Sequence, residues 1–162
     1  ATLLHIILEQ QVSLASARAA YEKLVQATQV LTPASFLQLS DSELKRIGFS
    51  RQKTAYGRHL AAALLDGSLD LAGVASSDDD RAREQLMGIK GIGCWTADIY
   101  LLMALGRPDV WPRGDLALAV AVQRVQKLPA RPSPAELSET SLKWRPWRAV
   151  AARILWHFYL SA

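Results

Sequence analysis

Apolar residues recur every three to four positions along almost the whole 162-residue chain, the spacing that gives each helix one buried face. Leu3, Leu4, Ile7, Leu8 and Gln11 lie on one side of a first helix. Ser13 starts a second, SLASARAAYEKLVQA, rich in Ala and other strong helix formers. Thr32-Pro33 opens a short helix ending near Leu39. Ser40 or Asp41 caps SELKRIG, which stops at Gly48, and Ser50 caps RQKTAYGRHLAAALLDG, which stops at Gly67. Ser76–Asp80 is a loop and N-cap region leading into DRAREQLM. After the apolar TADIYLLMAL, the stretch GRPDVWPRG is a loop broken by Gly and Pro, and Asp115 begins LALAVAVQRVQK. Pro129, Pro132 and Pro134 make a linker into PAELSETSLK, and the last helix reads WRPWRAVAARILWHFYL, with Arg145 and Pro146 near its start. No segment alternates as a strand and none repeats, so about ten short helices with short links predict an all-α fold.

Composition narrows this picture without changing it. Half the residues are hydrophobic and 21% are charged, a globular balance sufficient for one domain or two small lobes. No apolar run reaches the roughly 18–20 residues of a membrane span, and no signal-peptide pattern opens the chain. Residue 1 already lies in a helical pattern, so the N-terminus reads as a domain boundary. The single cysteine, Cys94, excludes an intrachain disulfide and any Cys-ligated zinc or iron–sulfur site. A reducing compartment is expected: cytoplasm or nucleoid in a bacterium, nucleus in a eukaryote. His5, His59 and His157 show no metal-ligand spacing. The net charge of +4 allows nucleic acid without demanding it. Basic residues gather at Lys90, in the 107–113 loop and over 143–153, while acids cluster at Asp78–Asp80.

Three stretches carry candidate chemistry. In LMGIKGIGCWTA (86–97), Gly88, Gly91 and Gly93 fall within six residues between two helical patterns, with Ile89 and Ile92 placed to pin the turn. This reads either as a plain helix–helix turn or as an anion site. In the second case backbone N–H groups at the positive end of the second helix hold a phosphate. Asp115 reads as an N-cap, or as a carboxylate kept ionised by the same helix end and able to stabilise a cationic transition state. Five tryptophans are many for this length: Trp95, Trp111, Trp144, Trp147 and Trp156. Trp95 stands two residues past the last hairpin glycine, and Trp156 and His157 lie on the final helix, where they could meet Trp95 across a cleft.

Taken together, IILEQQVS (6–13), LKRIGFSRQKTAYGRHLA (44–61), 86–122 and WRPWRAVAARILWHF (144–158) make the chain resemble the helix-hairpin-helix DNA glycosylases with the Gly/Pro-rich loop and trailing aspartate, HhH-GPD. Within them it is most similar to the alkylbase type, 3-methyladenine DNA glycosylase II. The resemblance implies a single all-α glycosylase domain over 1–162, two-lobed with the active cleft between the lobes. Its helix-hairpin-helix covers 78–105, and the mixed α/β lobe that leads some relatives is not expected within residues 1–162. The implied activity is hydrolysis of the N-glycosidic bond of an alkylated purine such as 3-methyladenine, flipped out of damaged duplex DNA. The catalytic aspartate falls on Asp115. The base pocket falls on Trp95, Trp156, His157 and Ile99.

The resemblance also assigns the DNA contacts. They fall on the hairpin (Gly88, Lys90, Gly91, Gly93) and on Gln11, which fills the gap left by the flipped base. Gln10 bonds locally or reaches the opposite strand. Lys90, Arg113 and Arg148 are further basic candidates, although Arg145, Arg148 and Arg153 equally suit acids on neighbouring helices. The carbonyls of Met87, Ile89 and Gly91 would hold a structural sodium or potassium ion; no other cofactor is expected, and no iron–sulfur cluster. Members that also cut the strand carry a lysine where this chain has Trp95, so the expected enzyme is monofunctional; a monomer is also expected. Three positions depart from the family pattern: Ile99 replaces a pocket aromatic, His157 stands where a relative has Tyr, and Lys90 replaces a usual Pro. The competing readings are a non-catalytic helix-hairpin-helix DNA-binding repair module and an oxidised-base glycosylase with lyase activity.

Overall fold

A computed structural model describes residues 1–161. Its contacts divide the chain into two compact units, residues 1–96 and Ala97 onward. Every regular element among the described residues is helical.

The first unit holds α1 (Thr2–Glu9), α2 (Leu14–Thr28), α3 (Pro33–Gln38), α4 (Asp41–Ile47), α5 (Arg51–Asp66), α6 (Leu71–Ser76) and α7 (Asp79–Met87). Their starts follow the capping chemistry of the sequence. Ser13 accepts the Ser16 N–H, Thr32 and Ser35 form a reciprocal capping box, as do Ser40 and Glu43, and Ser50 accepts from Lys53 N–H. α1 packs on α2 and α5, and α5 on α3 and α4, around the fully buried Ile7, Leu24, Phe36 and Leu44.

In this unit two details differ from the sequence reading. α6 has no counterpart in it: LAGVAS is too short to show a period, and its start is set by Asp70 accepting the Ala72 N–H at 2.9 Å. α1 stops at Glu9, so Gln11 is not on its face. Gln10 turns extended (φ −58°, ψ 122°) and Gln11 adopts φ 58°, because the chain must reverse within four residues to place Ser13 at the start of α2.

α8 (Cys94–Met103) contains the boundary between the units. The second unit continues with α9 (Leu116–Val125), α10 (Pro134–Ser141), a 3-10 turn at Leu142–Trp144 and α11 (Arg148–Ser161). α9 packs against α11 and α10, burying Leu118, Val122, Leu137 and Ala152. α9 ends two residues before Lys127, which turns to φ 52° while the Leu128 N–H closes on the Gln123 carbonyl at 2.9 Å. The final helix begins at Arg148 rather than at Trp144. The ring of Pro146 forces Arg145 to extended backbone (φ −61°, ψ 142°), and the Arg145–Pro146 bond is cis.

At Gly57, α5 packs directly on the Phe36 ring of α3. A Cβ there would lie 2.6 Å from the ring of Phe36, itself 1% exposed. Gly57→Val should therefore lower the unfolding free energy by about 3 kcal/mol through overpacking, read as a shift of the urea midpoint at unchanged m.

Candidate nucleic-acid interface and active site

The hairpin follows α7. Gly88 ends that helix in ordinary helical backbone (φ −62°), with its N–H on the Glu84 carbonyl. The Ile92 N–H then closes the turn on the Ile89 carbonyl at 3.0 Å. Ile92 is buried and pins the turn; Ile89 is half-buried, and Met87 and Lys90 are exposed. Of the three glycines only Gly91 is demanded by the fold. Its φ is 97°, and a Cβ would lie 2.2 Å from the Tyr56 ring. At Gly93 a Cβ would meet nothing within 4 Å. Gly93 is exposed immediately before α8. The N–H groups of Gly91 and Gly93 find no acceptor among the described residues, the condition for an anion site at a helix start.

Beside the turn lies an open groove of about 630 Å³, lined by Gln10, Gln11, Lys53, Tyr56, Gly91 and Gly93 among others. Gln11 stands exposed at its rim. Gln10 bonds locally: its Nε2 donates to the Gly91 carbonyl and to Thr96 Oγ1, both at 2.9 Å. Trp95 is half-buried on the first turn of α8.

In the second unit Asp115 is the N-cap of α9. Its Oδ1 accepts the Leu118 N–H at 2.9 Å and the indole N–H of Trp156 at 3.3 Å. The residue is 8% exposed. Both N–H dipoles and the start of α9 point at this carboxylate. Trp156 thus meets Asp115 from α11, while the neighbouring His157 is exposed and Ile99 is buried. Trp111 is core, its ring tilted on Trp144 at 5.4 Å.

Two carboxylates that the motifs did not single out hold the loop before Asp115. Asp98 is completely buried on α8. Its Oδ2 accepts from the backbone N–H of Arg113 at 3.3 Å and from Arg113 Nε at 3.5 Å. The signal was present, since Asp98 is the lone acid in an apolar run. Asp109 accepts Arg148 Nε at 2.8 Å and Nη2 at 3.0 Å, a two-pronged pair, with Arg145 at 3.7 Å. The backbone joins in, with the Ala149 N–H on the Pro108 carbonyl. Arg148, a candidate phosphate contact, therefore has its guanidinium committed within the fold. The Arg113 side chain remains half exposed.

With a carboxylate at a helix start, an aromatic N–H upon it and a glycine hairpin with two unpartnered N–H groups, the chain matches a family model from residue 4 to 146, described as HhH-GPD superfamily base excision DNA repair protein. The chain belongs to this family. This HhH-GPD chain is 41% identical over 107 residues to the probable bifunctional transcriptional activator/DNA repair enzyme AlkA of Mycobacterium tuberculosis, covering 66% of this chain and 20% of that protein. It is 27% identical over 158 residues to DNA-3-methyladenine glycosylase 1 of Schizosaccharomyces pombe, covering 95% and 69%. Among solved structures, 3-methyladenine DNA glycosylase Mag1 of the same yeast, in complex with abasic DNA, superposes with a TM-score of 0.91 at 26% identity over 96% of this chain and 77% of that one. DNA-3-methyladenine glycosidase of Bacillus halodurans gives 0.82 at 30% identity, covering 97% and 73%. The HhH-GPD chain spans between 20% and 43% of the length of the first curated relatives it matches.

The hydrogen bond from Arg148 holds the Asp109 carboxyl below its ordinary 3.8. A depressed pKa adds stability that is full above the unfolded value and lost as pH falls through the folded one. Arg148→Met should cost about 2 kcal/mol at pH 7. The gap from wild type in urea midpoint should narrow as the pH falls below 3.8.

Proposed function

We propose that this chain is a monofunctional DNA glycosylase of base excision repair that hydrolyses the N-glycosidic bond of alkylated purines, such as 3-methyladenine, in duplex DNA. The observation that carries the reading is the buried Asp115 carboxylate, fixed by the α9 N-terminus and the Trp156 indole. Alkylation at N3 or N7 places positive charge on the purine and weakens its bond to C1′. As that bond breaks, its electron pair leaves with the base, which becomes neutral. Asp115 stabilises the oxocarbenium-like sugar, and the oxygen of a water then bonds to C1′ as its proton passes to the carboxylate or solvent. The products are free base and an abasic site. Trp156 offers the cationic base an aromatic face, worth about 0.5–2 kcal/mol.

The N–H groups of Gly91 and Gly93 grip backbone phosphates without reading sequence, aided by the exposed Lys90 and Arg113. The open space at Gly93 leaves room for that approach. Gln11, exposed beside the groove, fills the stack where the damaged nucleotide leaves. Trp95 stands at the position of the lyase lysine and has no amine to form a Schiff base, so water is the nucleophile. The carbonyls of Met87, Ile89 and Gly91 would offer neutral oxygens to a sodium or potassium ion. Ile89 and Gly91 already accept one N–H each and keep a second lone pair. The enzyme acts as a monomer.

Asp115→Asn separates the two readings of the aspartate. Asparagine caps a helix as well as aspartate does, so an N-cap role alone predicts a silent change. The proposal predicts that release of 3-methyladenine from alkylated duplex falls at least a hundredfold, while the thermal midpoint and binding to abasic DNA stay near wild type. Excision at the wild-type rate would leave Asp115 a cap and favour the non-catalytic DNA-binding module.

A further inference from the structure

Gln10 makes a connection for which the mechanism has no use so far. The residue has left α1, and its primary amide is a fork with two hydrogens. One goes to the carbonyl of Gly91 in the hairpin turn and the other to Thr96 Oγ1 in the first turn of α8, each at 2.9 Å. Thr96 is 2% exposed, so the fork grips a fixed point. The next residue, Gln11, holds φ 58°. A side chain in that conformation costs of order 1 kcal/mol or more and persists only where neighbours over-determine it. A second anchor lies just upstream: Lys53 Nζ donates to the Leu8 carbonyl at 2.5 Å, satisfying one of the orphan acceptors at the end of α1. The strained Gln11 thus comes directly after two tethers, one to α5 and one to the hairpin, and it lines the same groove as Gly91 and Gly93.

We infer that Gln10 is a positioning residue that joins the Gln11 wedge and the phosphate-gripping hairpin into one rigid part. This rests on the glycosylase reading above. A wedge entering the base stack works only at a fixed offset from the phosphate held by the hairpin, and the two groups are 80 residues apart in sequence, since Gly91 follows Gln11 by that number. Without the fork each would still exist: the hairpin is held by Ile92 and Tyr56, and the wedge by its own backbone. Only their spacing would loosen. An amide is suited to this task. Glutamate would set a carboxylate against the Gly91 carbonyl, and methionine has the length but no donor.

The test compares duplexes that carry a tetrahydrofuran abasic analogue with undamaged duplexes, using 2-aminopurine next to the analogue to report wedge insertion. Gln10→Met should keep the wild-type circular dichroism and the wild-type affinity for undamaged DNA. It should lose at least tenfold of the preference for abasic duplex, together with the fluorescence change. Thr96→Ser, which keeps the acceptor, should match wild type. Thr96→Val, which removes the acceptor from the other end, should lose preference as Gln10→Met does, and it carries the test if Gln10→Met fails to fold. Wild-type preference and fluorescence in both Gln10→Met and Thr96→Val would overturn the inference. So would a parallel fall in undamaged-duplex affinity, which would make Gln10 a plain support of the hairpin. A wild-type protein with no preference for abasic duplex would instead sink the glycosylase reading itself.

Discussion

One carboxylate oxygen organises the second unit. Oδ1 of Asp115 takes the Leu118 N–H, which starts α9, and the Trp156 N–H, which comes from α11. The same atom therefore begins a helix and fixes the packing partner of that helix, on a residue only 8% exposed. These demands agree because a helix N-terminus stabilises an anion and an indole N–H adds a second dipole. A carboxylate fixed in place is what a developing cationic sugar requires.

The loop leading to Asp115 is held by two aspartates, Asp98 on α8 and Asp109 within the loop itself. Asp98 draws in the backbone of Arg113, and Asp109 ties the loop to Arg148 at the start of α11. Three carboxylates thus share one region with different tasks. Asp109 is paired with guanidinium, Asp98 is buried against a backbone N–H and a half-exposed arginine, and Asp115 accepts the Leu118 N–H and the Trp156 indole N–H. A fold that spends two acids on rigidity leaves the third with a fixed orientation.

Much of this was legible in the sequence, and the reasons are local. Ser, Thr and Asp before apolar periods marked the helix starts at Ser13, Thr32, Ser40, Ser50 and Asp115, since capping is decided within four residues. The glycine hairpin and Asp115 were visible as spacing and as a resemblance to a family. What escaped depends on partners far along the chain. The end of α1 at Glu9 follows from the turn at Gln10, whose amide is taken by residues 81 and 86 positions away. An acid partner for Arg148 was one of its two sequence readings, but its identity, Asp109, lies 39 positions earlier. The periodicity that carried α11 back to Trp144 ignored what Pro146 does to its predecessor. Glycine spacing also promised three special positions where the backbone requires one, Gly91.

The central claim is that water, assisted by Asp115, releases an alkylated base and leaves the strand whole. The direct measurement is incubation of the wild-type protein with an N-methylated duplex under single-turnover conditions. Freed base, strand integrity before and after alkali, and borohydride trapping are followed in parallel. The account predicts stoichiometric free 3-methyladenine, a strand that breaks only after alkali, and no covalent adduct. Strand cleavage without alkali together with a trapped adduct, or an absence of released base, would contradict it.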